Sequence, residues 1–231
     1  MTHKAARAEV VKRLADRAEG LPLLIVPLHR QNAEMNAAII RLATSADGAA
    51  VAEIYRPAVL YTPISFELTP PDAREMSLRI GTTLERTPWI VCERAGDVIG
   101  YAYASRHRDR AAYQWSVEVS AYVREDARGC GVARALYITL FAVLEVQGFR
   151  NAFAGITIPN EASVRLHEAV GFTPIGVFRS IGYKQGSWHD VAWFERSLAP
   201  RITDPPDPTP LPAVPAETLT DVLRAGLVKL R

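Results

Sequence analysis

The sequence predicts a mixed α/β domain over residues 38–198, and three observations carry this prediction. Short apolar runs with strand-like alternation recur along this stretch. Segments with apolar residues at helical spacing lie between several of these runs. One helical segment, residues 135–147, separates two strand-like runs, as expected for a crossover between central strands. Helices and strands are therefore expected to share one domain.

Seven runs are predicted to be strands, and they are residues 38–42, 89–93, 98–105, 113–123, 152–158, 176–183 and 188–197. The second and third runs are joined by Arg94, Ala95, Gly96 and Asp97, a turn composition that predicts a β-hairpin. The last two runs are expected to form a final strand pair.

Four helices are predicted in the same stretch. Asp47 is placed to cap the first helix and Asp72 to open the second. Gly148 and Gly171 are expected to end the third and fourth, because glycine tolerates the left-handed conformation that is common after a helix. The predicted helices are residues 47–59, 71–85, 135–147 and 161–170.

Two further segments flank the domain, so the chain divides into residues 1–37, 38–198 and 199–231. Residues 8–19 predict a short amphipathic helix that packs on the domain or on a partner subunit. Residues 200–215 are rich in proline, which favours an extended tether over packed structure. A terminal helix, expected to dock on the same chain or on a dimer partner, takes its apolar face from Leu219, Val222, Leu223, Leu227 and Leu230.

Composition and charge exclude several classes of protein. The 231 residues are 48% hydrophobic and 23% charged, which is ordinary for a soluble globular protein. The 27 Lys and Arg against 25 Asp and Glu leave a net charge of +2, which gives no long-range field for nucleic acid or an anionic membrane. No run approaches the roughly 20 apolar residues of a membrane span, and no secretory signal pattern is present. Cys92 and Cys130 are interpreted as free thiols, and the protein as cytoplasmic.

Two motifs carry the chemistry. Residues 128–133 are Arg-Gly-Cys-Gly-Val-Ala, between a predicted strand and a predicted helix. Glycines in this place let backbone N–H groups approach a pyrophosphate at a helix N-terminus, although the same turn taken alone is equally a tight loop. The second motif is Asn-Glu-Ala-Ser-Val-Arg-Leu-His-Glu-Ala-Val-Gly-Phe, which runs from Asn160 to Phe172.

With these motifs, the chain resembles the GCN5-related N-acetyltransferase (GNAT) superfamily, and more narrowly its phosphinothricin and methionine sulfoximine N-acetyltransferases. The resemblance covers residues 38–198. Several shorter stretches support it by their shared order and spacing, namely Ile54-Tyr55, Phe66-Glu67 with Pro70, and residues 88–91, 100–104, 112–118 and 182–191. No stretch is conclusive by itself, but their order along the chain indicates the family.

The resemblance implies a strongly bent mixed sheet whose two central parallel strands, residues 116–123 and 152–158, splay apart to admit the pantetheine arm of acetyl-CoA. The first of these strands would pair with pantetheine through its backbone, and the glycine turn would bind the pyrophosphate. The residues it assigns to acetyl-CoA are Ala121, Tyr122, Val123, Arg128, Gly129, Cys130, Gly131, Val132, Ala133 and Asn160. No metal is expected, and the Cys130 side chain is incidental to the role of its backbone.

Acetyl transfer needs a neutral amine, a stabilised oxyanion and a proton for the departing thiolate. The resemblance places Glu118 as the general base, acting directly or through water, and His167, where many members of the superfamily have Tyr, as a proton shuttle. It implies direct transfer in a ternary complex. Two alternatives stay open, since Glu118 can belong to a structural ion pair and His167 to packing or a helix cap.

The resemblance also assigns residues to the amine acceptor, and these are Phe66, Arg108, Arg110, Tyr113, Glu118 and Ser120. Guanidinium groups suit a carboxylate or a phosphinate, and the aromatic rings would wall a small pocket. Residues 106–110 can instead form a solvated hairpin edge. The chain departs from the family pattern where Arg56 replaces an Asn and where Arg106 and His107 replace a Pro-aromatic pair. A looser or more polar acceptor pocket is therefore expected.

The sequence thus predicts an acetyl-CoA-dependent N-acetyltransferase acting on the α-amino group of a small amino-acid analogue such as phosphinothricin or methionine sulfoximine. A homodimer is expected from the family, with no nucleic-acid or membrane partner. One alternative is an acetyltransferase for another amine, such as a protein N-terminus, and another is a catalytically silent acyl-CoA-binding module. Arg108 and Arg110 argue against polyamines and aminoglycosides, and the presence of both Glu118 and His167 argues against the silent module.

Overall fold

The structure, a computed structural model, describes residues 38–227, so the predicted helix over residues 8–19 lies outside the described residues, as does Leu230. The strands are β1 (Ile39–Leu42), β2 (Trp89–Arg94), β3 (Asp97–Arg106), β4 (Ser116–Val123), β5 (Asn151–Ile158), β6 (Thr173–Lys184) and β7 (Ser187–Ser197). The helices are α1 (Gly48–Tyr61), α2 (Ala73–Leu84), α3 (Val132–Gln147), α4 (Glu161–Ala169) and α5 (Ala216–Leu227).

The strands form a seven-stranded sheet in the order β1-β2-β3-β4-β5-β7-β6. The pair β4–β5 is parallel, and the other described pairs are antiparallel. Helix α3 connects the two parallel strands, which is the crossover that the sequence predicts. This mixed sheet flanked by helices confirms the predicted fold class.

The two faces of the sheet bury two separate apolar clusters. On one face, Val117 and Val119 of β4 pack with Leu136 and Leu140 of α3. On the other face, α1 and α2 cover a second cluster that includes Tyr101. Because successive side chains of a strand point to opposite faces, each residue of the central strands belongs either to the α3 side or to the α1–α2 side.

Glycines set both ends of α3. Gly131 precedes the helix with a φ of +80°, and Gly148 follows it with a φ of +96°, donating its N–H to the carbonyl oxygens of Leu144 and Glu145. The helix begins at Val132, earlier than the predicted residue 135, and Val132 is itself buried in the apolar cluster on this face. The N-terminus of α3 therefore lies directly on the glycine turn.

Two local predictions differ from the structure. The strand predicted over residues 113–123 begins at Ser116, because Ala111–Tyr113 forms a 3-10 turn. Asp47 precedes α1 but its carboxylate does not cap that helix. It accepts instead from Arg41 Nη2 at 2.7 Å and from the Thr44 N–H at 2.7 Å. The hydrogen bond from Arg41 lowers the pKa of Asp47, so an ion pair rather than a cap joins β1 to the start of α1.

The proline-rich segment packs on the domain, which corrects the prediction of a tether without packed structure over residues 200–215. Leu211 and Val214 are buried against Val143 and Val146 of α3. Proline fixes φ, so an extended chain loses little entropy when it docks, and its carbonyl oxygens remain acceptors. Composition therefore predicts the extended backbone of this segment but not its docking.

Hydrogen bonds fix the same segment to the domain. Trp115 Nε1 donates to the Pro206 carbonyl oxygen at 2.9 Å. Gln147 Nε2 donates to the Thr209 carbonyl oxygen at 2.9 Å, and the Thr209 N–H donates to the Gln147 carbonyl oxygen at 2.7 Å. The segment is thus bound at the start of β4 and at the end of α3.

Helix α5 docks on the same chain, which is one of the two arrangements that the sequence predicts. Val222 is buried, and Leu219 and Leu223 pack beside it on the cluster formed with α3. These side chains are used within the subunit, so they do not offer the extra dimer surface that was expected of them. None of the helices in the described part of the chain is long and apolar enough to cross a membrane.

Candidate active site

The central feature of the site is a gap between β4 and β5. The strands pair only through Ser116 with Asn151, Val117 with Ala152 and Glu118 with Phe153. Beyond these pairs, β4 continues to Val123 and β5 to Ile158 without further pairing between the two. Since β3 pairs with the other edge of β4, alternate residues between 119 and 123 direct their backbone N–H and C=O groups into this opening, where an extended chain can pair with β4.

The glycine turn lies at the end of β4, next to this gap. Gly129 has a φ of +74°, and no atom lies within 4 Å of the place that a Cβ on this residue would occupy. The first N–H groups of a helix have no intrahelical acceptor, and no side chain caps those of α3. Cys130 is exposed and its Sγ points back to the Arg128 carbonyl oxygen at 3.5 Å. A pyrophosphate fits this open set of N–H donors at a helix N-terminus.

Asn160 follows β5, at the same open end of the gap as the glycine turn but on the opposite strand. Its side-chain oxygen accepts from the Ser163 N–H at 3.2 Å, so it caps α4. The structure thus shows a helix-capping role for Asn160, and the role toward acetyl-CoA stays a prediction.

Glu118 lies where the pairing of β4 with β5 stops. Its Oε1 is 2.9 Å from His107 Nδ1 and 3.4 Å from Arg108 Nη1. About a third of its side chain is exposed. The carboxylate therefore stands at the apex of the gap, accessible to a substrate and held by two neighbouring residues of the β3–β4 connection.

His167 is buried in α4 among aromatic rings. Its Nδ1 lies 2.8 Å from the Ser163 carbonyl oxygen, which can only accept, so Nδ1 carries the proton. Nε2 then accepts from the Tyr137 hydroxyl at 3.0 Å. Burial lowers the pKa of His167, which keeps the ring neutral. Both ring nitrogens are therefore occupied in this arrangement.

Glu118 and His167 lie on opposite sides of the sheet. Glu118 alternates with Val117 and Val119, which point to the α3 side, so its own side chain points to the α1–α2 side. His167 contacts Tyr137 of α3, with ring centroids 5.2 Å apart. Any path between the two groups must therefore pass through the gap between β4 and β5.

Of the residues predicted to hold the acceptor, Arg108 contacts Glu118, Tyr113 packs on the His107 that also contacts it, and Ser120 lies on the same face of β4. The Tyr113 ring packs edge-on against His107, with centroids 5.8 Å apart. Ser120 forms a side-chain hydrogen bond with Tyr103. Arg110 is exposed and forms no ion pair within the described residues, whereas Arg108 contacts Glu118.

Phe66 lies in the loop after α1 and packs against β6. A Cβ on Gly182 would overlap the Phe66 ring, so glycine permits the close approach of β6 to this loop. Lys184 of β6 is buried, and its Nζ donates to the carbonyl oxygens of Val59 and Ser65 at 2.6 Å each. Burial lowers the pKa of Lys184. The end of β6 thus fixes the loop that carries Phe66.

A cavity of about 240 Å³ lies between α1, α2 and the sheet. Arg79 Nη1 donates to Glu67 Oε1 at 2.7 Å, and the Tyr55 hydroxyl donates to the same oxygen at 3.0 Å. Burial raises the pKa of the Glu67 carboxyl, but the hydrogen bonds from Arg79 and Tyr55 have the larger effect, so the pKa of Glu67 is lowered. Burial raises the pKa of Tyr55 to about 12. The lining residues are Tyr55, Glu67, Met76, Arg79, Thr82, Thr83, Trp89, Tyr101 and Tyr103.

Comparison with protein families matches residues 40–193 to the Acetyltransferase (GNAT) domain. The chain belongs to the GNAT acetyltransferase family. It is similar to the phosphinothricin N-acetyltransferase of Streptomyces viridochromogenes, with 40% identity over 169 residues, which are 73% of this chain and 91% of the relative. It is also similar to the L-methionine sulfoximine/L-methionine sulfone acetyltransferase of Salmonella typhimurium, with 34% identity over 160 residues, which are 69% of this chain and 94% of the relative.

Among solved structures, this acetyltransferase is similar to a GNAT superfamily phosphinothricin acetyltransferase from Sinorhizobium meliloti in complex with AcCoA. The TM-score is 0.69 at 39% identity, and the alignment covers 74% of this chain and 94% of that chain. These comparisons confirm the family that the sequence motifs indicate. Within its described residues, the acetyltransferase has no group of three or more His, Cys, Asp or Glu that could hold a metal ion.

Three contributions to the site of this acetyltransferase are absent from the sequence prediction. His107 appears there as a departure from the family pattern, without its contact to Glu118. The Glu67–Arg79 ion pair joins residues from different elements, and Lys184 binds carbonyl oxygens more than a hundred positions earlier. In the sequence, Glu67 and Lys184 lie in two of the stretches that support the family resemblance, Phe66-Glu67 and residues 182–191. The contacts themselves depend on tertiary structure and leave no pattern in the sequence.

Proposed function

We propose that this acetyltransferase moves the acetyl group of acetyl-CoA to the α-amino group of a small acidic or zwitterionic amino-acid analogue. The observation that carries the proposal is the position of Glu118 at the apex of the β4–β5 gap, with Arg108 in contact with it and Tyr113 packed on the His107 that also contacts it. A base at the apex and cations nearby suit an amine that carries its own carboxylate or phosphinate. Phosphinothricin and methionine sulfoximine, which appear in the names of the relatives, are the first acceptors to test.

The groups that would hold acetyl-CoA belong to β4 and the glycine turn. Backbone groups of Ala121, Tyr122 and Val123 would pair with pantetheine in the gap, and Asn160 would face it from β5. The N–H groups of residues 128–133 would bind the pyrophosphate, with the partial positive charge of the α3 N-terminus behind them. The acyl thioester would then lie near the apex, next to Glu118.

In the proposed reaction Glu118 takes a proton from the acceptor ammonium, directly or through water. The amine nitrogen then bonds to the carbonyl carbon of the thioester, the carbon–sulfur bond breaks, and the surplus proton of that nitrogen passes to the departing thiolate. His167 relays this proton when the Tyr137 hydroxyl turns away from its Nε2, because that atom can then accept the proton from the nitrogen and return it to the sulfur. Glu118 is therefore the principal base in this proposal.

The proposal includes a homodimer formed through β6. This strand lies at the end of the sheet and exposes Val177, Phe178 and Ile181, each about half accessible. An apolar edge strand is a template for pairing with a second chain. Light scattering should show a dimer for the wild type and a monomer for Ile181→Asp. A wild-type monomer at all accessible concentrations would refute the dimer.

The proposal places the reaction in a reducing compartment such as the cytoplasm. Cys92 is buried and Cys130 is exposed, and both are free thiols. Exposed free thiols are typical of proteins that work where disulfides do not persist.

The test is thiol release from acetyl-CoA with phosphinothricin, methionine sulfoximine, ordinary amino acids, a peptide N-terminus and spermidine. Turnover is expected on the first two, with a loss of roughly 10²-fold to 10⁴-fold in kcat for Glu118→Gln, because general-base catalysis contributes that much. Glu161→Gln, at an exposed position of α4, is the matched control.

Other outcomes separate the alternatives. Turnover confined to the peptide would keep the acetyltransferase and replace its acceptor. Binding of acetyl-CoA without turnover on any amine would favour the silent acyl-CoA-binding module.

A further inference from the structure

His107 lies between the aromatic wall of the acceptor site and Glu118, and its contacts point to a role beyond lining the pocket. We propose that His107 is a positioning residue for the Glu118 carboxylate. Its Nδ1–H holds Oε1, so that Oε2 is presented to the acceptor amine. This inference rests on the proposed function, because Glu118 acts as a base only in that reaction.

The hydrogen bonds to Glu118 are unequal. His107 Nδ1 lies 2.9 Å from Oε1, whereas Arg108 Nη1 lies 3.4 Å from the same atom. The His107 side chain is 15% exposed and that of Arg108 is 52% exposed, so the imidazole is the better ordered donor. An ionised carboxylate only accepts hydrogen bonds, so the proton of this contact is on Nδ1. Within the described residues, Oε2 has no hydrogen-bond partner and is left for the substrate.

Packing holds the imidazole ring in place. The ring of His107 stacks on Phe153 of β5, with centroids 4.6 Å apart and an interplanar angle of 25°. Tyr113 and Trp193 pack edge-on against it, at centroid distances of 5.8 Å and 6.3 Å. Three rings from three separate elements therefore fix the direction of the Nδ1–H bond before substrate arrives.

A fixed donor matters because a glutamate side chain has several rotamers. Proton transfer requires the accepting oxygen to lie within hydrogen-bond distance of the ammonium, and a small misplacement is costly in rate. Arg108 is unsuited to this task by itself, because it is exposed and is assigned to the acceptor. His107 leaves Arg108 free to move to the acceptor while the carboxylate stays oriented.

Two substitutions separate positioning from packing. His107→Phe keeps an aromatic ring against Phe153 but has no donor for Glu118. His107→Asn keeps an N–H at the place of Nδ1 but loses most of the ring. If His107 positions the carboxylate, His107→Phe lowers kcat by about tenfold to hundredfold, the loss expected for a hydrogen bond to a charged group, while the acceptor KM changes by less than about threefold.

Under the same proposal, His107→Asn keeps a kcat at least about threefold above that of His107→Phe but below the wild type, because its amide donates to Glu118 without the stacked ring that fixes the donor. Wild-type kcat in His107→Phe would overturn the proposal, as would equal losses in both variants, which indicate packing alone. A rise confined to the acceptor KM would also overturn it, since the ring would then contact the substrate and not serve Glu118.

A measurement independent of turnover keeps this inference separate from the proposed function. Side-chain ¹⁵N NMR of the full chain is expected to show His107 with a protonated Nδ1, and its signal should move in Glu118→Gln. A His107 signal with an unprotonated Nδ1, unchanged in that variant, would refute the contact even if every amine in the panel failed as a substrate. Failure of all the amines with the expected signal would instead refute only the proposed reaction.

Discussion

The imidazole of His167 and the hydroxyl of Tyr137 are joined by a hydrogen bond of 3.0 Å inside a cluster of aromatic rings. The cluster keeps His167 neutral, because burial lowers its pKa from the ordinary value of 6.5. This neutral histidine links the stability of the domain to pH.

The domain is expected to lose stability as the pH falls below about 6.5. In the unfolded chain His167 takes up a proton near that pH, whereas in the folded chain it does so only at lower pH, so the unfolded state binds more protons in this window. The contribution is fully present above pH 6.5 and is lost as the pH falls toward the folded pKa. Urea unfolding of wild type and His167→Gln between about pH 5 and pH 8 measures it. Parallel profiles for the two proteins would contradict this account.

Gly129→Ala is expected to weaken acetyl-CoA binding. At a φ of +74° an alanine costs roughly 1 to 2 kcal/mol, so the turn would relax and its N–H groups would move away from the pyrophosphate. Gly96→Ala is the matched control, because Gly96 has a φ of +87° and equally open surroundings in the β2–β3 hairpin. Calorimetry should show a higher Kd for the first variant and an unchanged Kd for the second. Equal effects would indicate general destabilisation instead.

Lys184→Met is expected to destabilise the domain by about 2 kcal/mol, because the Val59 and Ser65 carbonyl oxygens lose a charged donor. The acceptor KM should rise as well, since the loop that carries Phe66 is no longer fixed to β6. Thermal unfolding and steady-state kinetics measure the two effects. The nearby Ser187→Ala, at an exposed position of the same hairpin, should change neither. A stable variant with a normal KM would show that the loop holds its place without Lys184.

Leu211→Ala is expected to destabilise the domain by about 2 to 5 kcal/mol, as for other buried leucines, because Leu211 fills the cluster against α3. Ile202→Ala, in the same segment but about half exposed, should cost much less. Chemical denaturation of the two variants tests whether the docking seen in the structure persists in solution. Similar small losses for both would mean that the segment is only loosely attached.

Much of the fold follows from local pattern. Alternation and helical spacing locate the strands and helices, and Gly131 and Gly148 mark the ends of α3 because glycine is favoured at a positive φ. The docking of residues 200–215 does not follow, since prolines determine the backbone shape, whereas the buried Leu211 and Val214 and hydrogen bonds from distant residues decide where the segment packs.

Part of the candidate site could likewise be predicted from the sequence, and part could not. The glycine turn and the position of Glu118 on β4 are predicted by motif and spacing. The His107 contact is not, because it depends on how the β3–β4 connection folds back against Phe153 and Trp193 of later strands. The opposite placement of Glu118 and His167 likewise requires knowledge of which face of the sheet α3 covers.

The docked C-terminal segment bears on the shape of the acetyl-CoA gap. Trp115 precedes β4, and its carbonyl oxygen accepts from the N–H groups of Arg150 and Asn151 at the start of β5, while its indole holds Pro206. Gln147, at the end of the crossover helix, holds Thr209. The C-terminal segment therefore fixes, from outside the sheet, the end at which β4 and β5 are paired. Removal of the C-terminal segment would therefore change the angle between β4 and β5, and with it the width of the acetyl-CoA gap, without altering any residue that lines the gap.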